Sequence, residues 1–335
     1  MQMSIQQAKK AGKKYLNTIP TDAAGFDRLG PILKEYLLNK AENRPKKTIG
    51  PFKTDLAVYQ MPPVSNLRIT WVGHSSLLIE IDGKRILTDP VWSDRVSFSQ
   101  SIGPKRFFKP PLALHQLPAL DAIIQSHDHY DHLDEGTVKY FAHAGVPFYC
   151  SEGVGKHLRK WGIKASLITE LNWGDAAVIG GEIKITATPA RHFSGRSMFN
   201  RNETLWSSWV IEGPRHSVFF GADSGPSPDF KVIGEQFGPF DLTMLEVGAY
   251  GRYWPDIHMG PANAADAHIA LKGKMMMPIH WGTFNLAPHA WFEPAEKLLN
   301  IADDKSIALF MPEPGKPTEA DSPYNSLWWK KYLSG

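Results

Sequence analysis

From Leu67 onward, apolar residues recur in short runs bounded by Gly, Pro, Asp and Ser, the pattern of β-strands separated by turns. "LRITWVG", "SLLIEI" and "RILTDP" are the first three runs. Asp82-Gly83 between the last two signals a tight hairpin, because both residue types accept the left-handed backbone that such a turn demands. "DAIIQSH" is continuously apolar before its polar end, which predicts a strand buried on both faces. Further strands are predicted at "EIKITATPARH", "SSWVIEG", "HSVFFGADSG", "DLTMLEVG" and "MMMPIHWG". Helical signals interleave with them. Asp134 predicts an N-cap for a helix running towards His143, and "GVGKHLRKWG" a second helix. Pro261 predicts the first position of a helix through "PANAADAHIALKG", and "FEPAEKLLNIADD" the last one. Two groups of strands, each followed by helices, predict an α/β chain with two packed sheets and helices outside. Residues 1–66 have a different texture, with two charged, weakly helical stretches broken by Pro and Gly and closed by "MPPVSN". They predict an extension laid over a core built from residues 67–335.

Composition narrows the classes. The chain has 335 residues, 42% hydrophobic and 21% charged, enough for a sizeable core in one large domain or two smaller ones. A net charge of +3 argues against nucleic acid as a partner. The single cysteine, Cys150, excludes an internal disulfide and reads as a buried strand residue. The basic N-terminus lacks the apolar run of a secretory signal, and nowhere is there an apolar stretch of roughly 18 residues. These features predict a soluble, cytoplasmic chain.

The chemistry concentrates in "SHDHYDHLD", where three histidines and two aspartates fall within six residues, from His127 to His132. Imidazole and carboxylate together are what borderline divalent metals such as zinc prefer. His127, His129, Asp131 and His132 follow one predicted strand; His192, Asp223 and His280 each follow another. Taken singly, each of the last three reads equally well as an ordinary buried polar residue. Their shared place at strand ends, where a sheet fixes side chains rigidly, favours function. Alternation along the loop lets His127 and His129 point one way while Asp131 and His132 serve a second centre. Five histidines and two carboxylates suffice for two ions with positions left open to water.

"HDHYDH" is an HxHxDH signature, and with His192, Asp223 and His280 the chain resembles the metallo-β-lactamase superfamily. "WVGHSSLLIEIDGKRILTDPVWSDR", "GPKRFF", "SHDHYDHLD", "LWSSWVI", "FGPFDLTMLEVGAY" and "IHWGTFNLA" are similar, in order, to the N-acyl-phosphatidylethanolamine-hydrolysing phospholipase D branch. That resemblance implies an αββα sandwich with a dinuclear site at one edge. It implies that His127, His129 and His192 hold one metal, that Asp131, His132 and His280 hold the other, and that Asp223 bridges. Two divalent ions per chain are expected, zinc before manganese or iron. Asp131, Asp223 and His258 are the implied catalytic residues, His258 as proton donor to the leaving group. The segment between "GAY" and His258 is shorter than in the animal enzymes. Asp89 and His74 are expected to hydrogen-bond the ligands, against a plainer reading as turn residues. Gln100 and Ser101 occupy the place of a Gln-Tyr pair that contacts the lipid head group, so the glutamine is kept and the phenol lost.

"KRFFK", Lys105 to Lys109, suits a membrane interface and equally suits a loop with its aromatics tucked inward. The function implied is a phosphodiesterase acting on N-acylated phosphatidylethanolamine or a similar glycerophospholipid, with peripheral membrane contact. A lactonase or amide hydrolase of the same fold is the alternative. A metal-holding regulatory module is a third reading, against which the complete ligand set argues.

Overall fold

The computed structural model describes residues 4–23, 25, 28–38, 40–197 and 199–333. Helix α1 (Leu29–Leu38) precedes the sheets. Strands β1 (Leu67–Gly73), β2 (Ser76–Ile81) and β3 (Lys84–Thr88) form an antiparallel meander. Asp82 and Gly83 turn β2 into β3 with φ of 46° and 83°, the two-residue hairpin expected of that dipeptide. Parallel pairing then adds β4 (Ala122–Gln125), β5 (Phe148–Ser151) and β6 (Ile168–Leu171). The crossovers that parallel strands require are supplied by α2 (Glu135–Phe141) and α3 (Gly155–Lys160). Asp134 caps α2 by accepting from the Gly136 amide, as predicted, and the helix stops at Phe141, just short of His143.

The second sheet reverses the plan. Strands β7 (Ala176–Ile179), β8 (Ile183–Thr188), β9 (Ser208–Glu212) and β10 (Ser217–Phe220) pair antiparallel. Strands β11 (Phe240–Glu246), β12 (Gly273–Ile279) and β13 (Ala308–Leu309) continue it in parallel. Helices α4 (Asp229–Gln236), α5 (Gly260–Ala270) and α6 (Glu293–Asp304) connect and cover these strands. Pro261 lies at the second rather than the first position of α5, since the helix begins at Gly260. Strand β14 (Thr318–Glu319) returns to pair with β1, so each sheet has seven strands.

Alternation along β2 explains how the layers meet. Leu77, Ile79 and Ile81 face the core between the sheets, where they join Ile185, Trp209, Phe219 and Leu245. Leu78 points the other way, to a cluster with Val138, Phe141 and Leu158 of α2 and α3. Sheet on sheet with helices on both outer faces is the predicted αββα sandwich. Cys150 is buried on β5, as its sequence context suggests.

The N-terminal segment departs from expectation, because the first stretch read as weakly helical is extended. It forms a small hairpin pairing Lys10–Ala11 with Lys14–Tyr15. Tyr15 is buried against Trp173 and Trp206, which anchors the segment to the core. No helix among the described residues is long and apolar enough to cross a membrane.

The two readings of "KRFFK" separate cleanly. Phe108 is buried edge-on against Phe52 and Trp328, and Phe107 packs against Trp291. The Arg106 side chain is also buried, donating to the carbonyls of Val91 and Phe108. The large apolar residues that do project from this loop are Phe98 and Ile102, 75% and 57% exposed. Phe108→Ala should therefore cost about 3–5 kcal/mol of unfolding free energy, while Phe98→Ala should cost less than about 0.5. Denaturant titration measures both, and equal losses would mean the loop is oriented otherwise.

Candidate metal centre

Both sheets present loops at one edge, and the predicted ligands gather there. His127 to His132 follow β4, His192 follows β8, Asp223 follows β10 and His280 follows β12. Asp89 follows β3, and His74 sits in the β1–β2 turn. Three of these positions, His74 (φ 55°), Asp89 (34°) and His280 (63°), and Ala222 (47°) just before Asp223, are held in the left-handed backbone region despite carrying a Cβ. Such residues cost about 1–3 kcal/mol each and persist where packing over-determines them. Here the His280 amide donates to the His74 carbonyl at 3.1 Å, and the His74 amide donates to Thr283 Oγ1 at 2.9 Å. The two turns hold each other.

Hydrogen bonds on the outer side of each ring fix which nitrogen faces inward. Asp89 accepts from His132 Nδ1 at 2.7 Å, from the Ser126 amide at 2.7 Å and from Ser126 Oγ at 2.5 Å. Ser126 Oγ, having given its proton to Asp89, accepts from His127 Nδ1 at 2.8 Å. His192 Nδ1 donates to the Ile257 carbonyl at 2.9 Å. Each of these rings therefore keeps its proton on Nδ1 and turns the Nε2 lone pair inward. Burial, together with the neighbouring imidazoles, holds His127 well below the ordinary histidine range, and burial does the same to His192. Neutral imidazole is the ligating form.

The inward nitrogens meet at close quarters. His129 Nδ1 lies 2.9 Å from His127 Nε2 and 3.2 Å from His192 Nε2. Donors of one tetrahedral zinc, at bonds of about 2.0–2.1 Å, stand about 3.3 Å apart, so this trio fits one ion. On the other side His132 Nε2 and His280 Nε2 each lie 3.1 Å from Asp223 Oδ1, with Asp131 Oδ2 3.6 Å and 3.3 Å from the same nitrogens. Asp223 Oδ2 faces the first trio instead, 3.9 Å from His127 Nε2 and 3.7 Å from His192 Nε2. One carboxylate thus turns one oxygen to each cluster.

The buried atoms His132 Nε2, His280 Nε2 and Asp223 Oδ1 have no hydrogen-bond partner. Leaving such groups unpaired is costly, and a cation between them removes the cost. The donor set and the orphaned atoms both fit metal. Burial opposes charge at Asp223, but His132 and His280 pull its carboxyl well below the usual range. Burial likewise opposes charge at His280, yet the same carboxylate pushes it up to about 10. This is the field a cation would occupy.

His74 Nε2 donates to Asp131 Oδ2 at 2.9 Å, and its ring lies tilted against His280 with centroids 3.8 Å apart. Burial and the His280 charge lower His74 to about 3, so it is a neutral donor that aims Asp131. His258 borders the same cavity as His129, Asp131, Asp223 and His280. That cavity, about 290 Å³, is walled by Phe193, Ala249, Trp254, Ile257 and Leu286.

Gln100 is placed elsewhere. Its amide closes on the Arg95 backbone, accepting from N at 3.1 Å and donating to O at 3.0 Å. It lines a separate cavity with Tyr130, Trp161 and Arg196 that includes none of the ligands, and Ser101 is exposed on the same loop. The head-group role expected for this pair is not supported by its position.

Sequence reasoning also missed residues. Asp128, inside the HxHxDH motif, accepts from the Gly195 amide at 2.7 Å and pairs with His157 at 3.2 Å, tying the His192 loop to the ligand loop. Arg196 Nη1 donates to the carbonyls of Asp128 and Leu133, bracketing residues 129–132. Glu246, at the end of β11, is fully buried beside Asp223, His258 and His280. Its place at a strand end was the available signal.

Residues 84–281, more than half of the chain, match the model of a beta-lactamase superfamily domain. The chain belongs to that superfamily. A Mycobacterium tuberculosis protein bearing no functional name is 48% identical over 94% of this chain and 86% of its own length. The N-acyl-phosphatidylethanolamine-hydrolyzing phospholipase D 1 of Caenorhabditis elegans is 38% identical over 71% of this chain and 70% of its own. Among solved structures, the metallo hydrolase Igni18 of Ignicoccus hospitalis shares the fold, with a TM-score of 0.58 at 21% identity over 75% of this chain and 97% of its own. Membership of that superfamily, together with the buried donor clusters described above, makes the chain a metal-dependent hydrolase.

Because buried lone pairs converge at the centre, adding zinc to chelator-stripped protein should raise the thermal midpoint by several degrees. Asp223→Asn should lose most of that rise while folding normally. An unmoved midpoint in the wild type would contradict the assignment of these residues to metal.

Proposed function

We propose that the chain cleaves the phosphodiester bond of N-acylated phosphatidylethanolamine or a similar glycerophospholipid, releasing N-acylethanolamine and phosphatidate. The observation that carries this reading is the similarity to the nematode phospholipase D, at 38% identity over 251 residues that take in the ligand motif region. The cavity supports it. A wall of Phe193, Trp254, Ile257 and Leu286 suits an acyl chain, and it stands directly beside the ligand cluster.

In this reading His127, His129 and His192 would hold one cation and Asp131, His132 and His280 a second, with Asp223, which turns one oxygen to each cluster, shared between them. Two divalent cations, zinc before manganese or iron, lower the pKa of water and neutralise charge on a phosphoryl group when bound. The chain's own residues do the rest. Asp89 holds His132 in the tautomer that ligates, and His74 aims Asp131. The apolar wall orients the substrate and excludes bulk water from the reacting centre. Oxygen from water bonds to phosphorus as that water gives up a proton to solvent, the bond to the ethanolamine oxygen breaks, and that oxygen leaves with the electron pair. His258 is placed to give it a proton.

Phe98 and Ile102, projecting from the loop after β3, are the contact proposed for a membrane surface. Phe98→Asp with Ile102→Asp should depress hydrolysis on vesicles more than on a short soluble phosphodiester. Equal losses would remove the membrane role. Elemental analysis of protein purified without chelator should find close to two metal ions per chain; a content near zero in active protein would refute the dinuclear assignment. Hydrolysis in ¹⁸O-labelled water tests which bond breaks. Label should enter the phosphate of phosphatidate, and label in a released fatty acid would assign the chain as an amide hydrolase instead.

A further inference from the structure

The N-terminal extension reaches the metal centre. Strand β8 has ended at Thr188, so no sheet partner holds the backbone of the ligand His192. The side-chain amide of Asn17 takes that place. Asn17 Nδ2 donates to the His192 carbonyl at 2.8 Å, and Asn17 Oδ1 accepts from the His192 amide at 3.1 Å. Both main-chain polar groups of this ligand are thereby satisfied, in the exchange of bonds that two opposed strand residues make. Oδ1 also accepts from Trp206 Nε1 at 3.2 Å. An indole N–H can only donate, which settles the end of the amide that carries oxygen. The neighbouring residues extend the contact. Arg191 donates to the Pro20 carbonyl at 2.7 Å, to Thr21 Oγ1 at 3.2 Å and to the Pro226 carbonyl at 3.1 Å. It also pairs with Asp256 at 2.8 Å, and the same Asp256 oxygen accepts from the Asp22 amide at 2.9 Å. Ala23 then forms part of the wall of the cavity that holds Asp131, Asp223 and His280. Residues 17–23 therefore bind the loops that carry His192, Asp223 and His258.

We propose that Asn17 is a positioning residue for the metal centre: it sets the backbone of His192 so that Nε2 meets His127 Nε2 and His129 Nδ1 at one cation. The N-terminal extension is in this way a working part of the site. The role rests on the assignment of those three histidines to one ion and is independent of which bond the site hydrolyses. The residue type suits it, because a carboxamide carries a donor and an acceptor side by side in one plane. An aspartate of the same shape sets an acceptor against the His192 carbonyl, and an alanine leaves both main-chain groups of His192 without a partner.

The competing role is that Asn17 merely fastens the extension to the fold. The extension has other fastenings: Tyr15 is buried against Trp173 and Trp206, and its amide donates to the Asn202 carbonyl at 2.8 Å. Thr18 Oγ1 donates to Asp229 Oδ2 at 2.6 Å. Loss of the Asn17 amide alone therefore leaves the segment in place. Thr18→Ala is the matching control, since it removes a fastening next in sequence without touching a ligand.

Titration of chelator-stripped protein with ¹¹³Cd²⁺, followed by cadmium NMR, reads each cluster without any turnover. Wild-type protein should give two resonances, because nitrogen donors deshield the nucleus more than oxygen donors and the two clusters differ in their share of each. In Asn17→Asp and Asn17→Ala the affinity of the nitrogen-rich cluster should fall by about 10- to 100-fold, as when other partners that hold a ligand in place are removed. The second resonance should keep its position and affinity, and Thr18→Ala should match the wild type. Two resonances unchanged in position and affinity in both Asn17 variants would overturn the inference. So would an equal selective loss in Thr18→Ala, or loss of both resonances together with a lowered unfolding midpoint of the metal-free variants, either of which would make Asn17 a fastening of the fold. Wild-type protein that gives fewer than two resonances would overturn the assignment of two clusters itself, and the inference with it.

Discussion

Lone pairs that face one another inside a protein repel unless something positive lies between them. At this centre His127 Nε2, His129 Nδ1 and His192 Nε2 crowd together, and His132, His280 and Asp223 converge a few ångströms away. Outer hydrogen bonds to Ser126, Asp89 and the Ile257 carbonyl fix the tautomers of His127, His132 and His192. The arrangement is poor as a self-contained polar network and good as a pair of cation sites. The strained turns, the buried carboxylates and the layout of the sheet edge follow from the need to hold these groups fixed.

The sandwich meets that need through its mixed sheets. Each sheet has an antiparallel half and a parallel half, and the parallel halves deliver consecutive strand ends to the same edge. Strands β10, β11 and β12 thereby place Asp223, Glu246 and His280 side by side, while β3 and β4 bring Asp89 and the histidine loop to meet them. A rigid core between the sheets keeps spacings constant, so that one carboxylate can serve two clusters with separate oxygens. Left-handed turns at His74, Asp89 and His280 cost stability, and their cost is offset by mutual backbone bonds and by the surrounding packing.

The ligands were legible in the sequence because their signal is local and chemical: residue types that zinc prefers, each directly after an apolar run. The hairpin at Asp82-Gly83 and the cap at Asp134 were legible for the same reason, since turn and cap preferences act over a few residues. What escaped depends on long-range meeting. Nothing near Gln100 reveals that its amide will close on Arg95. Nothing in "KRFFK" reveals that Phe108 will find Phe52 and Trp328, which lie far away along the chain. The first N-terminal stretch has the charged, weakly helical texture described above, but Tyr15 is extended because a pocket formed by Trp173 and Trp206 receives it. Glu246 was overlooked because a lone acidic residue in a strand carries no motif, although the strand-end rule that located Asp223 applies to it equally.

The central proposal is that Asp223 stands between two cation sites and gives one oxygen to each. Anomalous diffraction at the zinc edge from crystals grown with zinc measures this directly. Two peaks should appear, one bounded by His127, His129 and His192 and one by Asp131, His132 and His280, with the Asp223 carboxylate between them. A single peak, or two peaks with Asp223 turned away from either, would contradict the account.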